Sequence, residues 1–564
     1  MSRNISKDKR EDLLSKIKQL RAFLETQNAT PEMRAYLSEL ESELKRQKFG
    51  LVFEEHKEEI DDILETHTPI LKEDKNLFVN NGGQMNFVIE GDNLASLTLL
   101  EKTHKGKIDV IYIDPPYNTG AKDWKYNNDY VDGNDLFRHS KWLSMMEARL
   151  KIAKQLLAPR GALICAIDEN ELHTTGMLLE NLFGLTHEIH CVTIIHNPGG
   201  VQGKNFSYTH EYAIFVIPKG ERVIGLQTRT DNPDIRNAIN ESKVRADARN
   251  CFFPIYIKDE KIIGFGEVCL DSFHPKSANE DIGDGVIAVY PIDKNGNERN
   301  WRLSRQTIDQ MIDELKVEYN SSRKLYDIVR TKTKFNHKTV WFDGKYNANV
   351  FGTRILRQVI PNCNFDFPKS LYNVQDCVGA IVAPKNATIL DFFAGSGTTG
   401  HAVLELNKAD GGQRKFILCS CKDNGNDICR EVTYERVKTV ITGKRKDGSK
   451  YGEPMKASLK YQKVEFLPTA EKIYYDYADE LLKHIKELVE LENAINFDGN
   501  TELEIILTET DVEKFFANQD KLSQVKVIYL GHDVSISLAE QKILSKNNIA
   551  LNIIPEYYYK EVQV

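Results

Sequence analysis

From Asn86 to Ile167, short runs of β-branched and aromatic residues alternate with amphipathic stretches, and the hydrophobic period switches between that of a strand and that of a helix. Asn86–Glu90, Ile108–Ile113 and Ala162–Ile167 read as strands, with helices over Leu94–Leu100 and about Leu143–Leu157. The pattern breaks down from about 190 to 385, where Gly and Pro are scattered among short aromatic segments and charge-rich stretches such as Gln306–Leu315. It returns as a strand at Ala387–Phe393, a helix at His401–Leu406 and a strand at Lys415–Ser420. Strand–helix alternation implies a mostly parallel sheet, so the two segments are expected to build one α/β domain interrupted by an inserted α+β region. In that sheet 387–420 supplies the first strands and 87–171 the fourth and fifth, and strands one and four flank the switch point where ligands bind.

The ends of the chain read differently. Leu13, Ile17, Leu20 and Leu24, then Met33, Leu37, Leu40 and Leu44, repeat at helical spacing around Thr30-Pro31, an N-cap followed by proline at N1. They predict a helical hairpin over 1–50 with one apolar seam per helix, more suited to assembly than to chemistry. A helix from Tyr474 to Leu491 and strand-like runs at Leu503–Leu507 and Val525–Leu530 predict a small C-terminal α/β domain over 471–564 with an interaction role. The expected division is therefore 1–50, 51–189 joined to 386–470, 190–385 and 471–564.

At 564 residues the chain exceeds what one core accommodates, and 41% hydrophobic content suffices for several. No apolar run approaches the ~20 residues of a membrane span. Met1–Arg10 is polar, and the nine cysteines contain no C-x-x-C, which together lead us to expect a reducing cytoplasm and no membrane association. Cys419, Cys421 and Cys429 are too few for a zinc site, and no metal is expected. The net charge of −8 does not advertise a nucleic-acid binder, but a local basic surface is what matters. Residues 323–346 supply one: Arg330, Lys332, Lys334 and Lys338 lie among Phe335, Trp341, Phe342 and Tyr346, which suits phosphates and bases unless it is only a solvated face over a small core.

Two turns carry candidate chemistry. The run Ile108–Ile113 stops at Asp114-Pro115-Pro116-Tyr117, followed by Asn118-Thr119-Gly120; proline cannot continue the ladder, so the strand ends in a rigid turn presenting a carboxylate and an aromatic ring. A strand-capping Asp beside a core Tyr would look the same. The run Ala387–Phe393 leads into Ala394-Gly395-Ser396-Gly397-Thr398-Thr399-Gly400, a G-x-G-x-x-G in its strand-to-helix context. A dinucleotide site would also want an acid about 20 residues on. The strand Lys415–Ser420 closes without one, and Asp423 lies just beyond.

Together the two turns resemble those of the DNA amino-methyltransferases, which carry a D-P-P-Y turn and an F-x-G-x-G loop. The catalytic turn precedes the loop by 277 positions, the permuted order of the beta group. Gly91–Leu94, His139–Met146, Ile167–Glu171 and Asn205–Tyr212 extend the resemblance over roughly 50–470, and it looks nearest to the modification subunit of type III restriction systems.

The resemblance implies a Rossmann-like S-adenosylmethionine-dependent fold, with the inserted region 190–385 as the target-recognition region. Asp114, Pro115, Pro116 and Tyr117 become catalytic: the Asp114 carboxylate and Pro115 carbonyl accept the protons of an exocyclic amine, Pro116 stiffens the turn, and Tyr117 stacks on a flipped base. Phe393, Ala394, Gly395, Ser396, Gly397 and Thr398 are expected to contact the cofactor with Asp391 beneath them, Asp92 lies near its adenine, and Lys369 near its amino-acid end. Lys122 and Trp124, in a loop able to clamp a base, join Arg330, Lys332, Lys334 and Lys338 as expected DNA contacts. An Asp at the head of the turn points to adenine N6; cytosine N4 is the alternative, a recognition subunit without catalysis is another, and a dinucleotide oxidoreductase a third. Double-stranded DNA is the implied substrate in a bacterial cytoplasm, and a homodimer and a separate helicase–nuclease subunit are the partners left open.

Overall fold

The computed structural model describes residues 5–26, 30–45, 53–126, 129–202, 205–229, 233–421, 427–468 and 484–558. The chain forms two compact units, one made of 1–223 and 339–564 and the other of 224–338.

The first unit is built on a ten-stranded mixed sheet. Its strands in chain order are β1 (His67–Glu73), β2 (Gln84–Glu90), β3 (Ile108–Ile113), β4 (Leu157–Ile167), β5 (His187–Ile195), β6 (His210–Pro218), β7 (Val340–Trp341), β8 (Thr388–Asp391), β9 (Lys415–Ser420) and β10 (Ala457–Pro468). Their order across the sheet is β1-β10-β2-β9-β8-β3-β4-β6-β5-β7. The centre is parallel, β8 pairing with both β9 and β3, and β3 with β4. Near-continuous apolar runs are what such strands require, since both faces are covered; Val110, Ile111, Ile113, Leu163, Ile164, Ile389 and Leu390 are all buried.

The predicted meeting of the two segments is present: β3 and β8 are neighbours in parallel register, Ile111 opposite Leu390, so Asp114 and Asp391 emerge on the same sheet edge. One strand sits elsewhere than expected. β2 lies beyond β9, pairing with it and with β10, so the segment 87–171 contributes to both flanks of the switch point. Among the described residues no helix is long and apolar enough to cross a membrane.

The second unit, 224–338, is narrower than the 190–385 read from the sequence. β6 pairs with β4 on one side and with β5 on the other, and β7 adds to β5, so both flanks of that stretch belong to the central sheet. The unit's own structure is mostly antiparallel strand, including Asp234–Asn237, Leu315–Asn320 and Leu325–Lys332, with a short helix Arg305–Ile308. Phe253, Ile255, Val289, Trp301 and Ile328 form its core, and the Trp301 indole donates to the Phe253 carbonyl at 2.8 Å.

The terminal elements follow the sequence pattern. α1 (Ile5–Thr26) and α2 (Pro31–Lys45) form the hairpin; among the described side chains of the seam only Leu37 is buried, while Leu13, Leu20, Met33 and Leu40 are exposed. The predicted helix at Tyr474–Leu491 is described from Ile485 to Asn493; its earlier part lies outside the described residues. Leu503–Ile506, Val527–Leu530 and Ala550–Ile553 make a parallel three-stranded sheet over a separate apolar cluster.

Candidate active site

The Asp114 turn leaves β3 at the centre of the sheet. Trp142, fully buried on α4 (Arg138–Leu156; α3 is Asn93–His104), donates its indole hydrogen to the Pro116 carbonyl at 2.7 Å. Asn118 adopts a left-handed backbone, φ 56°, a region asparagine tolerates better than most residues, and is wholly buried. Its side chain accepts from the Trp124 indole at 2.9 Å and donates to Glu171 at 2.5 Å; His139 lies 2.6 Å from that same buried carboxylate. The turn is thus held rigid by residues from three separate segments. Trp124 is consequently 7% exposed and belongs to this framework, not to an open clamp, because the indole gains both apolar cover and a hydrogen-bond acceptor there. Lys122 lies on the strand Ala121–Tyr126, and its side chain is outside what is described.

The functional face of the turn holds three charges. Lys369 Nζ sits 3.0 Å from Asp114 and 3.1 Å from Glu211, donates to the Tyr117 hydroxyl, and lies 4.4 Å from the Tyr117 ring centroid. The Tyr117 hydroxyl donates to Glu211 at 3.1 Å, and Asn373, on α5 (Leu371–Gly379), donates to the other Glu211 oxygen at 2.9 Å. Burial raises the Asp114 pKa and the Glu211 charge adds to that, against the pull of Lys369. For Glu211 burial acts upward too, but Lys369 and His196 outweigh it and its pKa is lowered. Lys369 is likewise pushed down by burial and carried above its ordinary value by the two carboxylates. The two carboxyls share one ammonium, and Asp114 is the one less firmly held in its ionised form.

The glycine loop leaves β8 beside this cluster. Asp391 is buried, and its oxygens take the Phe393 amide at 2.9 Å and the Thr399 hydroxyl at 2.5 Å, so it fastens the two ends of the loop; burial raises its pKa to about 7. Gly397 has φ 72° and would bring an added Cβ within 3.0 Å of the Thr433 carbonyl oxygen. Thr433 in turn donates to the Gly395 carbonyl at 2.6 Å. Gly400 lets α6 (Thr398–Asp410) lie against the sheet, since a Cβ there would meet Leu418 at 2.9 Å. Asp92 is the N-cap of α3, accepting from the Leu94 amide at 2.7 Å, and the adjacent Asn93 donates to the Phe392 carbonyl at 3.0 Å, tying that turn to the start of the loop. Asp423 lies outside the described residues.

The structure thus brings Asp114, Tyr117, Lys369, Asp391 and the 393–398 loop to one edge, with Asp92 tied to the loop through Asn93. It separates the basic stretch 323–346. Arg330, Lys332, Lys334 and Lys338 belong to the second unit, whereas Trp341 and Tyr346 are buried in the first, their rings stacked at 5.9 Å. These two rings are core residues because β7 joins the central sheet. In the second unit, Arg236, Arg302, Arg330 and Lys332 line a cavity of about 270 Å³ together with Asp234 and Asn240. Arg330 is paired with Glu314 at 2.8 Å. Glu211 had no role in the sequence reading; the available signal was a charge inside the apolar run of β6.

A mixed α/β sheet with a rigid acidic turn and a glycine loop on adjacent parallel strands defines an enzyme that brings a small cofactor and a second substrate into one crevice. The DNA methylase family model matches residues 108–433, and the chain belongs to that family. The type II methyltransferase M.KpnI of Klebsiella pneumoniae is 30% identical over 58% of this chain and 78% of its own. The EcoPI Mod subunit of Escherichia phage P1, a type III restriction-modification enzyme, is 30% identical over 66% of this chain and 65% of its own, and the StyLTI Mod subunit of Salmonella typhimurium 25% identical over 65% and 57%. The chain therefore spans about three fifths of the length of these two Mod subunits. Among solved structures, the M1.HpyAVI–SAM complex aligns with 63% of this chain and 98% of its own at 13% identity and a TM-score of 0.28.

Proposed function

We propose that this DNA methyltransferase moves a methyl group from S-adenosylmethionine to the N6 nitrogen of an adenine flipped out of duplex DNA, as the modification component of a type III restriction system. The observation that carries the reading is the placement of the Asp114 turn and the Gly395–Gly397 loop at the carboxyl ends of adjacent strands, β3 and β8.

The loop fits the cofactor. Two left-handed glycines open its backbone, and Gly397 precedes α6 as an N-cap without a side chain, which leaves an N-terminus suited to a carboxylate. Phe393, with the 394–398 backbone, Asp92 and Lys369, would hold it; bound there, the cofactor supplies a methyl group already activated by its sulfonium. The chain's own task is orientation and charge. An exocyclic amine is a weak nucleophile because its lone pair is delocalised into the ring. Asp114 and the Pro115 carbonyl accept its hydrogens and favour a tetrahedral nitrogen, and these acceptors, with the Glu211 carboxylate behind them, favour the positive charge that builds as the new bond forms. Asp114, whose pKa is raised, is suited to take the proton that must leave. The flipped base costs a few kcal/mol of unstacking, which the Tyr117 ring offsets in part. To reach that ring it must displace the Lys369 ammonium.

Unit 224–338, with its basic cavity, is the proposed reader of sequence, and double-stranded DNA the substrate; a helicase–nuclease polypeptide is the proposed partner. Sequencing DNA methylated by the purified protein with S-adenosylmethionine, with detection of modified bases, tests the central claim. N6-methyladenine in one recurring motif is expected. N4-methylcytosine would overturn the choice of base, and unmodified DNA the activity.

A further inference from the structure

Among the described residues, the buried Lys and Arg side chains come with their anions, with one exception. Lys460 is paired with Glu73 and Glu490, Arg149 with Glu58, Arg245 with Glu298, and Lys369 with Asp114 and Glu211. Arg436, on α7 (Glu435–Thr442), is fully buried, and no carboxylate among the described residues lies within ion-pair distance of it. Its Nη1 donates to the Ser396 carbonyl at 3.3 Å, the Ser396 hydroxyl at 3.1 Å and the Thr398 hydroxyl at 2.7 Å, and its Nε to His401 Nδ1 at 3.4 Å, while Nη2 has no partner. Burial lowers the Arg436 pKa only to about 10, so the guanidinium stays charged near neutrality; burial and that charge keep His401 neutral. A buried, unpaired charge costs several kcal/mol, and a fold that retains one has a use for it or an anion that arrives later.

Where Arg436 sits says which. Its bonds run to the glycine loop and nowhere near the Asp114 cluster. Thr433 and Arg436 draw the Gly395 and Ser396 carbonyls toward α7. Because the peptide is planar and trans, the Ser396 amide hydrogen points away from Thr433, on the side opposite the carbonyl of the same peptide. The loop then opens the 13-residue helix α6, whose dipole is positive at that end. The amide presents its positive end on the side away from α7, the helix end adds to it, and the buried guanidinium adds its charge from the α7 side. Lys369 is already occupied by two carboxylates.

We propose that Arg436 is a positioning residue that presets the Ala394–Thr398 loop, in shape and in charge, for the carboxylate at the amino-acid end of the cofactor. This rests on the cofactor assignment above and adds a residue that does not itself touch the cofactor.

The test compares two ligands with a common nucleoside thioether by calorimetric titration of the full chain. S-adenosylhomocysteine carries the amino-acid carboxylate, and 5′-methylthioadenosine lacks it. Arg436→Met removes the charge at similar volume, a change often tolerated at buried unpaired ions. It is expected to weaken S-adenosylhomocysteine by about tenfold or more while 5′-methylthioadenosine changes far less; Arg436→Lys, which keeps the charge, should fall between wild type and Met. Should the Met variant not fold, Arg436→Gln, which keeps donors for Ser396 and Thr398, gives the same comparison. Equal weakening of both ligands, or none, overturns the proposal. Wild-type protein that binds neither ligand overturns the cofactor assignment instead.

Discussion

Lys369 is the hinge of the charge arrangement, and replacing it with Met tests that arrangement without disturbing the glycine loop. The ammonium lies 3.0 Å from Asp114 and 3.1 Å from Glu211, with side-chain exposures of 12%, 26% and 5%. At such separations, with an effective dielectric constant of about 20, each attraction is of the order of 5 kcal/mol before desolvation is subtracted. Removing one partner from a buried pair costs a net ~3–5 kcal/mol, so we expect a loss of that order near pH 8. Its pH dependence has a definite sign. In the wild type the Lys369 pKa is raised, so its contribution is whole below the unfolded value near ~10.4 and is lost only as pH climbs through the folded value. The Glu211 pKa is lowered, so its contribution is whole above ~4.3 and is lost as pH falls through the folded value. The pair is therefore flat between about pH 5 and 9. Without the ammonium, both carboxylates are pushed above their unfolded values by burial and by each other, and the variant loses stability as pH rises through that range. His196, whose own pKa burial lowers, supplies little compensating charge there.

The decisive measurement is a double-mutant cycle followed by calorimetric unfolding at about pH 5.5 and about pH 8. Glu211→Gln alone should destabilise, because Lys369 and Asn373 lose a charged acceptor. On the Lys369→Met background the same change should stabilise, because it removes one of two facing buried charges, with a coupling of about 1–3 kcal/mol at the higher pH. A Lys369→Met deficit equal at both pH values, or a Glu211→Gln effect of the same sign in both backgrounds, would refute the reasoning.

Asp114→Ala should lower methyl transfer by about 10² or more while cofactor affinity stays near wild type, because the carboxylate acts on the base; single-turnover assays and calorimetric titration separate the two. Gly397→Val should abolish cofactor binding even in a folded protein, since φ 72° excludes a β-branched residue and its Cβ would press on the Thr433 carbonyl; unchanged affinity for S-adenosylhomocysteine would place the site elsewhere. Replacing Lys332 and Lys334 with Ala should weaken cognate and non-cognate duplexes alike and flatten the salt dependence by up to about one unit of slope per lost phosphate contact; an unchanged slope in filter binding would remove these residues from the DNA surface.

The parts of the site legible in the sequence are those where chain order and spatial order coincide. Ile108–Asp114 and Thr388–Asp391 each end an apolar run at an acid, with proline directly after one and a glycine loop from Gly395 shortly after the other, and such endings are local. Residues whose role depends on a distant partner carry no such mark. Trp124 in a polar loop looks like a surface ring until Asn118 is found to accept its indole hydrogen. Trp341 and Tyr346 share a stretch with Arg330 and Lys332, but a two-residue strand pairing with β5 sends them into a different unit. β2 gives no local sign of lying beyond β9, because any strand of its length and composition could sit on either side.

Glu211 and Arg436 show how much of a site can depend on such partners. Each is a charged residue on a strand or helix, where in most sequences a charge marks a solvent-facing position. What separates them from that ordinary case is the cost of burial: a carboxylate 4% exposed and a guanidinium 0% exposed persist only if another group, near in space and far in sequence, makes them worth keeping. For Glu211 that group is Lys369, 158 positions along the chain; for Arg436 it is the loop at 396–398, 38 to 40 positions before it. In the proposed site the two charges would divide the labour, since Glu211 contacts Lys369 and Tyr117 on the side of the acidic turn and Arg436 contacts Ser396 and Thr398 on the side of the glycine loop. Changing one should therefore leave the other's ligand undisturbed: Glu211→Gln alters the pH dependence of transfer at unchanged affinity for S-adenosylhomocysteine, and a joint loss of both would mean that the two halves of the crevice are mechanically one.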